Sequence, residues 1–162
     1  MHTAFILSIR GTPQLYYGEE IAMEGKEDPD NRRDFPGGFP GDSRNAFTRE
    51  GRTAIQQRMF DWTRSWISLR REHSSIRQGN LIDLFYDEDA YVFARQDKSE
   101  TVVIAINRSL RPKELTLTSR LLNLSKWTAV KPLLGTGKGS QVSNGQSQLT
   151  IPPQTASAYL VQ

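Results

Sequence analysis

LIDLFYDEDAYVFARQDKSETVVIAIN, residues 81–107, is the stretch that decides the fold. Three apolar runs, at about 81–86, 90–95 and 101–107, follow a period of two, and the short polar segments YDEDA and DKSE separate them. Runs this short, joined by turns this tight, pair with their neighbours, so the sequence predicts an antiparallel meander. VVIAI is apolar at every position, as expected of a central strand covered on both faces. Downstream the sequence predicts four more strands, at 113–118, 127–133, 148–151 and 156–161. ELTLT within the first of these alternates, as a strand with one wet face does. GTGKGSQVSNGQSQ (135–148) reads as a long polar loop. Several short strands at close spacing predict a mainly β fold, an antiparallel Greek-key β-sandwich.

Upstream of Leu81 the pattern changes. Ile55, Met59, Trp62, Trp66 and Leu69 step by four and three along one helix face, with Arg58, Asp61, Arg64, Ser65 and Ser68 on the other. Thr53 and Gln56 have capping-box spacing at its start, and the helix should end near His73. Residues 18–52 are dense in Gly, Pro, Asp, Asn and Arg and read as one long loop, partly packed down by Phe35, Phe39 and Phe47. QLYY (14–17) reads as a strand. Residues 3–10 read as the last turns of a helix, with Gly11 as C-cap and Pro13 preventing continuation. The boundary between this part and the β module falls near Arg77–Leu81.

Composition narrows the function classes. Net charge is +3, and the eight arginines between Arg44 and Arg77 are diluted by Glu50, Asp61 and Glu72, which makes a solvated helix face and no nucleic-acid surface. There is no cysteine and there are only two histidines, so disulfides and thiolate metal sites are excluded, and no metal and no cofactor is expected. The apolar run at the start lacks a basic leader and a cleavage site and is far too short to span a bilayer, so no membrane partner is expected. The compartment, cytoplasmic or exported, stays open.

Several motifs have a bland reading beside a sharp one. GTGKGS (135–140) looks like a phosphate loop, but Pro132 stands where the first glycine belongs and Gly139 where Ser or Thr belongs, which leaves a flexible turn. Glu19 and Glu20 are adjacent, so on a strand they face opposite ways and cannot flank one bond; capping is the better role. Asp28, Asp30, Arg32 and Arg33 cluster in the loop. Local salt bridging and recognition of sugar hydroxyls by a carboxylate and a guanidinium fork fit them equally. NRS (107–109) and NLS (123–125) match the glycosylation acceptor pattern, which is short enough to arise by chance.

RGTPQLYYGEEIAM (10–23) and DPDNRRDFPGGFPGD (28–42) resemble one region of the α-amylase family of glycoside hydrolases, most nearly its cyclomaltodextrinase and neopullulanase branch. In that family Gly-x-Pro-x-x-Tyr-Tyr-Gly-x-Glu marks the eighth strand of the (β/α)8 barrel; here it reads Gly11, Pro13, Tyr16, Tyr17, Gly18 and Glu20. FDWTRSWISLRREHSSIRQG (60–79) is similar to the eighth barrel helix and its exit. The resemblance implies two parts: 1–78, a remnant of the barrel (end of helix 7, strand 8, long loop, helix 8), and 79–162, the C-terminal β-sandwich domain. It implies that Asp28 and Arg32 contact a bound α-glucan away from the cleavage point. Tyr16 and Tyr17 would pack in the barrel wall, and Glu20 would fix the start of the loop.

The family's nucleophile, acid–base glutamate and third aspartate lie on strands four, five and seven, none of which matches a residue of this chain. The expectation is therefore no catalytic residue and no activity from this chain alone, within a parent that is a bacterial retaining glycoside hydrolase acting on α-glucans. The alternatives are a carbohydrate-binding accessory module, or one half of a split barrel completed by another chain. Without barrel strands, the Ile55–Leu69 stripe should lie on the sandwich or pair two copies as a homodimer.

Overall fold

The computed structural model describes all 162 residues. They form two compact units, one of Met1–Thr12 with Trp66–Gln162 and one of Pro13–Ser65. No helix is long and apolar enough to cross a membrane.

The first unit carries eight strands: β1 Asn80–Tyr86, β2 Ala90–Gln96, β3 Thr101–Asn107, β4 Lys113–Thr118, β5 Ala129–Leu134, β6 Ser140–Gln141, β7 Gln146–Ile151 and β8 Thr155–Val161. A six-stranded sheet runs β1-β2-β3-β8-β5-β6, and β4 pairs with β7 in a second sheet. All pairings are antiparallel. The chain leaves the large sheet after β3, crosses to the small one, and returns so that β8 lies beside β3.

The predicted meander is present, and its two turns have a shared cause. Asp87 Oδ1 accepts from the N–H groups of Asp89 and Ala90, and Asp97 Oδ1 accepts from those of Ser99 and Glu100. Each aspartate satisfies its own turn backbone, the usual reason Asp starts a tight turn. Between the sheets lies the core: Val92, Ala94, Val103 and Ala105 from one side, Leu115, Leu117, Leu149 and Ile151 from the other, with Trp127 and Tyr159. Outward-facing Phe93, Val102 and Ile104 are equally buried, so β2 and β3 are covered on both faces. Asn107 is buried at the end of β3. Its amide donates to the carbonyls of Arg111, Ile151 and Pro152, which makes it a stitch between loops and no glycan acceptor.

Several expectations change. QLYY is not a strand: residues 12–16 carry no regular secondary structure and have no ladder partner. A strand needs a neighbour to take its N–H and C=O groups, and none of this chain's strands lies beside it. The N-terminal helix, α1, is His2–Ser8; its C-cap is Ile9, not Gly11. The 135–148 loop contains β6 and a hairpin whose Asn144 and Gly145 both have positive φ (51° and 70°), with Ser143 and Gln146 exchanging hydrogen bonds. Asn-Gly is the strongest short hairpin signal, and it places the start of β7 two residues earlier than expected. The GTGKGS segment is not loose either. A Cβ on Gly137 would fall 1.6 Å from the Tyr159 hydroxyl, so glycine is required by close approach to β8.

The predicted amphipathic helix, α2, is Ala54–Glu72. Its capping box forms: Gln56 N–H donates to Thr53 Oγ1 (3.3 Å) and Thr53 N–H to Gln56 Oε1 (3.0 Å). Its apolar stripe does not behave uniformly. Trp66 and Leu69 are buried, Met59 and Trp62 half-buried, and Ile55 is 64% exposed.

A short helix, α3 (Ser74–Gln78), follows α2, and another, α4 (Ser119–Leu122), follows β4; neither was expected. Arginines fasten the helix ends. Arg70 donates to the Leu7 carbonyl (3.0 Å) and the Gly11 carbonyl (2.8 Å) after α1, and Arg95, 1% exposed, donates to the Gly79 carbonyl (2.9 Å) after α3. Cations suit helix C-termini, where carbonyls lack partners. At the other end of α3, Glu100 takes His73 Nδ1 (2.7 Å), Ser75 N–H (3.1 Å) and Ser75 Oγ (2.9 Å). Burial alone would raise the Glu100 carboxyl, but these bonds outweigh it and hold it below the usual range.

Candidate functional site

The candidate residues all lie at residues 10–35. Pro13 leads into Tyr16 and Tyr17, whose rings sit 4.5 Å apart and are both exposed. The Tyr17 hydroxyl donates to the Arg33 carbonyl (3.1 Å), which ties the start of the loop to its middle. Gly18 has φ 89°, and a Cβ there would also meet the Met23 side chain at 2.8 Å. Glycine is needed on both counts. Glu20 Oε2 accepts from the Gly18 N–H (2.8 Å), so this carboxylate is spent on the turn. The turn then continues as one short 3-10 segment, Glu19–Ile21.

The four charged residues resolve into two pairs with different jobs. Arg33 grips Asp30 through Nε (2.5 Å) and Nη2 (2.8 Å), while Asp30 also accepts from the Lys26 N–H (2.9 Å). The Arg33 bonds hold the Asp30 carboxyl below its usual range against a smaller opposing effect of desolvation. This pair is built into the loop. Arg32 Nε lies 3.0 Å from Asp28 Oδ1, and these two side chains are 71% and 63% exposed. Neither makes another hydrogen bond. An ion pair this open contributes under about 1 kcal/mol to folding. Asp28 and Arg32 are therefore a paired acceptor and donor fork presented to solvent, chemistry suited to neighbouring hydroxyls.

The rest of the loop is held by side chains bonding to backbone. Asp42 accepts from the N–H groups of Gly38 and Phe39 (both 3.0 Å). Arg52 donates to the carbonyls of Ala46 and Phe47 and lies 4.0 Å over the Phe60 ring. Phe35 stacks on Phe47 at 4.6 Å. A cavity of about 400 Å³ opens between Met23, Glu24, Arg33, Arg44 and the start of α2. Asp28 and Arg32 do not line it. Arg44 was read from sequence only as part of a diluted arginine cluster; here it donates to Gln56 Oε1 (2.9 Å) at the capping box.

Fold and site together define a β-sandwich module preceded by helices and a long loop that presents an exposed ion pair. The chain belongs to the alpha-amylase C-terminal domain family, whose model matches residues 79–159. It is 31% identical over 143 residues to a cyclomaltodextrin glucanotransferase of Bacillus sp. (strain 6.6.3), covering 88% of this chain and 18% of that protein. It is 30% identical over 113 residues to a cyclomaltodextrinase of Geobacillus thermopakistaniensis, covering 68% of this chain and 17% of that protein. Among solved structures, an α-amylase from Geobacillus thermoleovorans complexed with acarbose superposes with a TM-score of 0.78 at 27% identity, over 98% of this chain and 32% of the other. The chain thus spans under a fifth of these two curated relatives and about a third of that structure.

Proposed function

We propose that this chain is the C-terminal portion of an α-glucan-acting enzyme of the α-amylase family, and that it is not a catalyst by itself. Residues 1–78 are its share of the barrel and residues 79–162 its sandwich. The observation that carries this reading is the continuity of the likeness: it runs through 98% of the chain, and so through the loop as well as the sandwich. In the loop, Asp28 and Arg32 contact the bound glucan, and Gly11, Pro13, Tyr16, Tyr17, Gly18 and Glu20 shape the segment and turn that lead into it. The test is an assay of the purified chain on soluble starch and β-cyclodextrin for released reducing sugar. No turnover is expected; turnover would overturn the reading, because two opposed carboxylates are required to break a glycosidic bond.

A second reading has its own support. Tyr16, Tyr17 and Ile55 are apolar and exposed, as expected of surfaces that barrel strands would cover. On this reading the chain completes a barrel supplied by a separate polypeptide. Hydrolysis on mixing it with the first seven strands of a cyclomaltodextrinase would support that, and inactivity of the mixture would remove it. A homodimer through the α2 stripe would rest mainly on Ile55; sedimentation of wild-type chain against Ile55→Glu reads it directly.

A further inference from the structure

The outer face of the β1–β2 edge carries a cluster of aromatic and acidic side chains that the 18–52 loop does not contribute to. The β1–β2 register shifts between Asp83 and Phe85. The extra residue lets Leu84 reach the core and Phe85 pack against it. A bulge of this kind re-aims the side chains that follow. Tyr86 is consequently turned to the same outer face as Asp83, opposite Tyr91 on β2. It is 75% exposed, and it is the one exposed aromatic of residues 79–162.

Its neighbours are organised. The Tyr91 hydroxyl donates to Asp83 Oδ1 (2.5 Å). The Tyr91 ring lies 4.9 Å from that of Phe93, which is fully buried, and 6.4 Å from that of Phe5 on α1. Burial, then the bond to Asp83, pushes the Tyr91 hydroxyl up to about 12, while the nearby Arg10 charge opposes this. The phenol therefore stays a neutral donor at any ordinary pH, and Asp83 keeps lone pairs free for other donors.

We infer that Tyr86 and Tyr91, with Asp83, form a surface platform for an α-glucan chain, built from residues other than the Asp28–Arg32 loop. Aromatic faces carry negative charge density that meets the C–H face of a pyranose ring. The carboxylate accepts from sugar hydroxyls. A purely protein-docking patch has less use for an exposed carboxylate held by a tyrosine hydroxyl, because charged groups are depleted at the centre of such interfaces. The choice of glucan as occupant rests on the functional reading above.

The experiment is binding of maltoheptaose to the full chain by titration calorimetry, together with native gels cast with and without amylopectin. Wild type should bind and be retarded. Tyr86→Ala should weaken binding about tenfold, the usual scale for losing one aromatic anchor; Asp83→Asn should weaken it less. Leu110→Ala, which removes an equally exposed apolar side chain elsewhere, should change nothing. Unchanged thermal unfolding of Tyr86→Ala guards against misfolding. No binding by wild type overturns the platform, while the reading of the chain as a non-catalytic portion of an α-glucan-acting enzyme is tested separately by the turnover assays. Binding lost in the Asp28→Ala/Arg32→Ala double variant and kept in Tyr86→Ala also overturns it, and moves recognition to the loop. Self-association abolished by Tyr86→Ala would make the patch an interface between copies and overturn it too.

Discussion

Residues 79–162 and residues 13–52 solve the same problem in opposite ways. Every chain must satisfy its backbone donors and acceptors as it buries them. The sandwich does so by strand ladders whose side chains fill a shared core. The loop has one isolated bridge, between Gly37 and Asn45, and short-range turn bonds such as Met23 N–H to the Gly18 carbonyl and Ala46 N–H to the Pro36 carbonyl, to which Glu20, Asp30, Asp42 and Arg52 add side-chain bonds to nearby main chain. The first kind of order depends on packed volume; the second depends on local turns and single side chains, and leaves charged groups free at the surface.

Core truncation should separate the regions most sharply. Leu117 is fully buried between the sheets, whereas Phe39 is 59% exposed in the loop. Leu117→Ala should cost about 2–5 kcal/mol in chemical denaturation, through lost transfer energy plus a cavity. Phe39→Ala should stay within about 0.5 kcal/mol. Equal effects would mean that the loop shares a core the structure does not give it.

Overpacking tests the same boundary from the other direction. Gly137→Ala drives a methyl into Tyr159, which has no exposed surface. It should cost about 1–3 kcal/mol. Tyr159→Phe removes the oxygen that the methyl meets, so the two changes together should cost less than their sum. Strict additivity in a double-mutant cycle would show that the segment yields freely instead.

How much of this was legible follows the same division. The seven larger strands, the meander and the capping box were readable because period-two patterns and cap spacing are local signals. Trp127 was placed inside a strand but lies in the core just before β5, donating to Ser119 Oγ (2.9 Å). Periodicity cannot tell those two burials apart. QLYY failed for the reverse reason: its strand-like residues need a partner that local sequence does not report. In the loop, the cluster of Asp28, Asp30, Arg32 and Arg33 was readable, but its division into an exposed pair and a built-in pair was not. That depends on which guanidinium the turn brings to which carboxylate. The bulge that exposes Tyr86 left no sequence signal, since Leu84 and Phe85 simply look like an apolar run.

The junction at α3 gives a pH-dependent contrast. Glu100 is held below its usual range in the folded chain. A depressed folded pKa contributes stability above the unfolded value of about 4.3 and loses it as pH falls through the folded one. Glu100→Gln should therefore lower the unfolding free energy near neutral pH by about 1–2 kcal/mol, the scale for bonds to a charged group. It should also flatten the fall in stability below about pH 4. An unchanged acid limb would assign that fall to Asp97, which Ser74 and Ser99 also hold below its usual range.

The smallest effect on stability belongs to the pair proposed to matter most for recognition. The Asp28 and Arg32 side chains form an ion pair with each other and no side-chain hydrogen bond elsewhere, and both are mostly in water. Their coupling in a double-mutant cycle should be under about 1 kcal/mol and should fade with added salt. The reason bears on function. A side chain that the fold relies on cannot turn toward a ligand without loosening its own loop, and that is the position of Asp30 and Arg33. Asp28 and Arg32 are under no such obligation, so exchanging their mutual contact for sugar hydroxyls would leave the loop intact. A coupling of 2 kcal/mol or more would instead make them structural, and the search for the glucan contact would pass to Arg33, Arg44 and the cavity beside them.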